Sequence, residues 1–161
     1  MNRLAAILDV DDVKVDVGAE SRLTLFVDAA LILQRHGWTG ALSAVTDTLL
    51  ERERMASTCL GHGVAIPHGR LKGLKSAAAA VVRLKEPLAF GGPDEEPVRL
   101  FVFLFVPEMA TQTDLEILGE IAEMLSDKKV RERLKHEGDA HSVFATIAGW
   151  TPGLAARRTE T

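Results

Sequence analysis

The sequence predicts an α/β fold, a single domain in which a mixed β-sheet is sandwiched between helices. Three observations carry that prediction. Residues 98–106 are almost all apolar and rich in aromatics, the composition of a strand buried on both faces. Amphipathic helical spacing recurs on both sides of that stretch, and strands interspersed with helices imply layers around one sheet. With 161 residues, 47% hydrophobic and 26% charged, the chain fits one ordinary globular core. We expect that domain over residues 1–150 and a mobile tail over 151–161, where Pro152, Gly153 and two arginines gather.

The elements follow from local chemistry. Residues 4–8 suit one helical turn, and residues 13–17 alternate apolar and charged side chains with the period of a half-buried strand. Ser21 is placed to cap a helix over 23–34, which Gly37 ends. A second helix is expected over about 40–54, with Leu42, Val45, Leu49 and Leu50 on one face. Residues 57–70 read as a turn, a short buried strand at 64–66 and an abrupt exit through Pro67-His68-Gly69. Residues 77–84 are taken as a strand because the stretch is short, carries Val81 and Val82, and is bounded by Pro87. Beyond the central strand, a strong amphipathic helix at 113–125 sets Leu115, Leu118, Ile121, Ala122 and Leu125 on one side. Shorter helices are expected near 129–136 and 140–148.

Composition removes several function classes. The formal net charge is −4 with basic residues scattered, which argues against nucleic-acid binding. Cys59 is the sole cysteine and cannot form an internal disulfide. No apolar run is long enough for a bilayer and the first residues do not resemble a secretory leader, so a cytoplasmic protein without membrane insertion is expected. The nucleotide-binding and nucleophile-elbow glycine motifs are missing, so no cofactor is expected. Cys59, His62 and His68 are too few ligands for a metal site.

Five histidines remain as candidates. His36, His136 and His141 sit at helix ends, where histidine commonly completes the terminus or meets solvent. His68 differs, because it lies between Pro67 and Gly69 directly after a buried strand. Proline fixes the approach of the chain, and glycine would let a bulky anion near the backbone. Neutral imidazole is a good nucleophile near neutral pH, and a phosphoryl group on it forms a labile P–N bond suited to onward transfer. Arg52, Arg54, Arg70, Ser57 and Thr58 lie close in sequence and could serve the phosphoryl oxygens. The bland alternative is a turn whose histidine merely caps nearby carbonyls. On the local residues alone the two stand level.

The stretch Leu60-Gly61-x-Gly63-Val64-Ala65-Ile66-Pro67-His68-Gly69-Arg70 resembles the enzyme IIA domains of the bacterial phosphotransferase system, fructose–mannitol type, and within it the nitrogen-regulatory branch. The resemblance extends over roughly residues 4–148, including Glu51-Arg52-Glu53-Arg54 and Leu104-Phe105-Val106-Pro107. It implies a phosphotransferase intermediate: His68 accepts a phosphoryl group at Nε2 from a phosphorylated HPr-like protein, with Arg52 helping to stabilise it. The group then passes to a IIB partner or serves as a signal, and neither ATP nor metal is needed. In the nitrogen-regulatory branch the regulated proteins include potassium transporters and sensor kinases. A domain standing alone, without IIB or membrane segments, leans towards regulation over sugar uptake.

Two departures bear on function. The family usually carries a second histidine at the start of the long helix, where this chain has Asp114, and His62 stands where relatives commonly have asparagine or glutamate. A carboxylate repels a phosphoryl dianion, so Asp114 motivates a rival reading as a phosphorylation-impaired regulatory binding protein. A sugar-uptake enzyme IIA is the other alternative, and a small histidine hydrolase lacks a recognisable triad. Two hypotheses follow: His62 takes over part of the missing histidine's role, the alternative being an exposed loop residue, and Asp114 raises the pKa of His68. Partner docking is expected on Leu71 and Leu74, with Lys72 and Lys75 at the rim.

Overall fold

The computed structural model describes residues 2–153. Residues 154–161, most of the expected tail, lie outside the described residues. The chain order is α1 (Arg3–Ala6), a 3-10 turn (Val10–Asp12), β1 (Val13–Val17), α2 (Arg22–Gln34), α3 (Leu42–Met55), β2 (Cys59–Gly61), β3 (Val64–Ala65), β4 (His68–Leu71), β5 (Ala78–Leu88), β6 (Val98–Pro107), α4 (Gln112–Ser126), α5 (Lys128–His136) and α6 (Ala140–Gly149). Ser21 caps α2 as expected, its side chain accepting from the Thr24 amide at 3.2 Å.

The strands form one mixed sheet in the order β1-β5-β6-β3-β2, with β4 also paired to β6. β6 runs through its centre, antiparallel to β5 and parallel to β3 and β4. Because side chains alternate along a strand, β6 feeds two cores at once. Phe101, Phe103 and Phe105 enter the layer formed by α2 and α3, where Phe26 meets Phe103 edge-on at 5.9 Å. Leu100, Val102 and Leu104 enter the opposite layer under α1, α4, α5 and α6. Helices therefore cover both faces.

Three local expectations need correction. Pro67-His68-Gly69 is not an exit from the sheet: His68 opens β4, aligned with Leu104. β5 is not bounded by Pro87 but runs through it to Leu88, with the register broken between Arg83 and Leu88, so the missing proline N–H falls where no ladder bond is required. On α4 the buried apolar side chains are Ile117, Ile121, Met124 and Leu125, while Leu115 is exposed. The spacing located the helix but misplaced the centre of its apolar face, because a groove beside α4 leaves Leu115 uncovered.

Candidate functional site

β4 has a strand neighbour, β6, on one side, and α3 packs against it. The approach is close: a Cβ on Gly69 would lie 2.6 Å from Thr48 Cγ2. A side chain at Gly69 would thus force Thr48 of the crossing helix to shift, a packing reason for glycine beside the anion approach that the sequence suggested. Across the opening stands the first turn of α4. Between them lies a groove of about 810 Å³, floored by Leu104 and Val106 and lined by His68, Gly69 and Arg70.

The imidazole is held in one orientation. His68 Nδ1 donates to the Ile66 carbonyl at 2.7 Å, an acceptor that fixes the proton on Nδ1. Nε2 is left with a free lone pair. Ile66 is itself anchored, its amide donating to the Thr58 carbonyl at 3.1 Å, and Pro67 O accepts from the Leu104 amide at 3.1 Å. Burial pushes the His68 pKa below the ordinary histidine range. The Ile66 carbonyl opposes that shift, Arg52 reinforces it and Glu53 again opposes it. The neutral, nucleophilic ring is favoured.

The α3 wall contributes Thr48, Arg52 and Met55, at positions one and two turns apart on a single helix face. Arg52 Nη1 donates to the Ala56 carbonyl at 2.7 Å, closing the C-terminus of its own helix. Next to it Glu53 is buried and holds the Thr58 amide at 3.1 Å and the Thr58 hydroxyl. That pair ties the end of α3 to β2, which fixes where Arg52 begins. The α4 wall contributes Asp114, Leu115 and Leu118. Asp114 is 8% exposed and closes a capping box, its Oδ2 accepting the Thr111 amide at 2.9 Å while Thr111 Oγ1 accepts the Asp114 amide at 3.2 Å.

Of the expected site residues, His68, Arg52, Gly69, Arg70 and Asp114 converge on this groove. The others do not. Thr58 is spent on Glu53, and the Ser57 hydroxyl donates to the Phe90 carbonyl at 3.3 Å. Arg54 is exposed and pairs with Glu51 at 2.9 Å. His62 sits in the β2–β3 turn at φ 57°, its amide donating to Asp94 at 2.8 Å and its carbonyl accepting from Lys135 at 2.8 Å. Val64 aligns with Leu100 and His68 with Leu104, so His62 lies at least ~13 Å from His68 along the strand, at ~3.3 Å per residue. It is an exposed turn residue and cannot stand in for a second histidine. Asp114 is not among the charges that shift His68, whose pKa falls rather than rises. Leu71 is 2% exposed and belongs to the core, so it offers no docking face, while Leu74 is half-buried against that core. His36 has the structural role expected, with Nε2 3.0 Å from Asp12 Oδ1.

A family model described as "Phosphoenolpyruvate-dependent sugar phosphotransferase system, EIIA 2" matches residues 6–149. The chain belongs to that family. This EIIA chain is 35% identical over 147 residues to a nitrogen regulatory protein of Pseudomonas aeruginosa, covering 91% of this chain and 96% of that one. It is 42% identical over 104 residues to the nitrogen regulatory protein of Escherichia coli, 64% of each chain. A crystal structure of the nitrogen regulatory protein IIA-Ntr from Neisseria meningitidis superimposes with a TM-score of 0.84 at 39% identity, covering 91% of this chain and 99% of that one. The mannitol IIA of Escherichia coli shares the fold, with a TM-score of 0.71 at 22% identity.

Sequence reasoning missed several groove residues of this EIIA domain. Thr48 and Met55 repeat at helical spacing with the expected Arg52, a signal that was available but that Met55, 76% exposed, disguised as ordinary surface. Glu53 gave no signal. Its burial depends on Thr58 returning under the end of α3, which no local pattern announces.

Proposed function

We propose that this chain is a phosphocarrier of the nitrogen-regulatory kind, in which Nε2 of His68 accepts a phosphoryl group from a phosphorylated HPr-like protein. One observation carries the reading: the 2.7 Å bond from His68 Nδ1 to Ile66 O leaves Nε2 unprotonated at the groove. The lone pair attacks phosphorus as the P–N bond of the donor's phosphohistidine breaks, and the bonding electrons stay on the donor's ring nitrogen. The His68 ring keeps its Nδ1 proton, so no proton has to move during transfer. Its positive ring then makes a good leaving group for onward transfer. The Arg52 and Arg70 guanidinium groups at the groove can meet the phosphoryl oxygens.

Similarity to nitrogen regulatory proteins along nearly the whole chain supports a regulatory rather than sugar-uptake role. Regulated proteins such as potassium transporters or sensor kinases, in the cytoplasm, fit that role. A second reading, a binding protein that is hard to phosphorylate, is favoured by the buried Asp114 carboxylate in the groove. Incubation with enzyme I, HPr and phosphoenolpyruvate separates the two. We expect an acid-labile phosphate that His68→Ala abolishes; no incorporation into the wild-type chain would support the binding-only reading.

A further inference from the structure

We propose that a phosphoryl group on His68 works a two-sided electrostatic latch, drawing Arg52 off the Ala56 carbonyl and driving Asp114 off the Thr111 amide, so that phosphorylation uncaps both helix ends that flank the groove. This rests on the reading of His68 as the phosphoryl acceptor. With Nδ1 turned towards Ile66, Nε2 and anything bonded to it extend away from that carbonyl, where α3 and α4 form the walls. Each wall presents one charged side chain that currently caps its own helix. On α3 it is a cation, donating at 2.7 Å to the last-turn carbonyl of Ala56, a residue otherwise open to solvent. On α4 it is an anion, accepting the Thr111 amide at 2.9 Å. A phosphoryl dianion acts on the two with opposite signs, and each response breaks a cap.

The other groove carboxylates suit this role less well. Asp47 and Glu51 are exposed and Glu51 is paired with Arg54, so solvent and a counter-charge screen them. Asp114 is buried, so a new negative charge placed in the groove it lines is screened less there than at an exposed carboxylate. One side-chain bond to a backbone amide is a small restraint against that coupling. The uncapped segments also carry the two most exposed large apolar side chains of the described residues, Met55 beside Ala56 and Met109 two residues before Thr111. Opening the latch reshapes the apolar surface on both sides of the groove, which is how a partner could distinguish the two states of one histidine.

NMR of the full-length chain tests this through the Thr111 amide and the Arg52 guanidinium resonance. In wild type phosphorylated by enzyme I and HPr, and in unphosphorylated His68→Glu, the Thr111 amide should exchange on the order of tenfold faster, as expected for losing a charge-assisted hydrogen bond. The Arg52 resonance should shift in both. His68→Gln, neutral at the same site, should leave both signals as in the unmodified protein. Asp114→Asn supplies a neutral acceptor for Thr111, so its phosphorylated form should keep the slow exchange. Unchanged Thr111 exchange in either charged state overturns the latch, even where mass analysis shows His68 fully phosphorylated. Absence of phosphoryl incorporation instead overturns the carrier reading, and the phosphoryl trigger with it, a result that mass analysis reports separately.

Discussion

His62 and His68 lie six residues apart, each beside a glycine, one in the turn between β2 and β3 and the other opening β4. The structure gives them opposite circumstances. The His62 backbone is gripped on both sides, by Asp94 and Lys135, while its side chain faces solvent from a left-handed turn. His68 has an extended backbone and a gripped side chain, its ring bonded to Ile66 and set between two helices. A histidine becomes a candidate nucleophile when its surroundings fix one ring nitrogen and lower its basicity, and neighbouring glycines do not accomplish that. The two regions also use charge differently. Near His62, Asp94 is held below the usual carboxylate range chiefly by the backbone amides of His62 and Glu96, so its charge stabilises a turn. Near His68 the charges of Arg52 and Glu53 act on the ring itself.

Three measurements sharpen or break this contrast. The largest effect is expected for Arg52→Ala, which removes a cation from the groove and should slow phosphoryl uptake about 10²-fold, the usual cost of losing one oxyanion donor. Unchanged uptake would show that Arg52 only closes its helix. Next comes pH. Because burial, and then Arg52, hold the His68 pKa below that of an unfolded histidine, the ring stays neutral to lower pH than an ordinary histidine. Phosphoryl uptake should therefore persist at pH values where free imidazole is already protonated, and Arg52→Ala should move the His68 titration upwards. The linkage has a definite sign. Below the unfolded pKa the unfolded chain binds the extra proton more readily, so this site costs stability as pH falls, and the loss ends below the folded pKa. An NMR titration of His68 at or above the ordinary value would contradict the geometry.

The smallest effect belongs to His62. Relieving its φ of 57° with His62→Gly should raise stability by about 0.5–1 kcal/mol, read as a higher urea midpoint, while leaving phosphoryl uptake unchanged. A clear fall in uptake would restore a role for His62 in the site.

The sheet and its helices were legible because burial on two faces leaves a compositional mark. Val98 to Val106 could hardly be anything but a central strand, and Ser21, together with the alternation of Val13–Val17, marked elements whose chemistry is local. His68 and Arg52 were legible through the Ile66-Pro67-His68-Gly69-Arg70 stretch and the Glu-Arg repeat before it. Ser57, Thr58, Arg54 and His62 were misassigned for one shared reason. Nearness along the chain was taken for nearness in space: the turn after α3 sends Ser57 to Phe90 and Thr58 to Glu53, Arg54 pairs with Glu51 on its own helix, and His62 meets solvent.

By itself the amino-acid order determined the layered α/β plan, the strand at the centre and the histidine that stands out, because hydrophobic period, capping side chains and turn residues act over a few neighbours. Tertiary structure alone decided which nitrogen of His68 is free, what a side chain at Gly69 would press on, and which charges share its groove. Those properties arise where α3 and α4 line one groove beside the Leu104 end of β6, at residues some sixty positions apart. No local pattern encodes how helices from opposite faces of a sheet come to flank one groove.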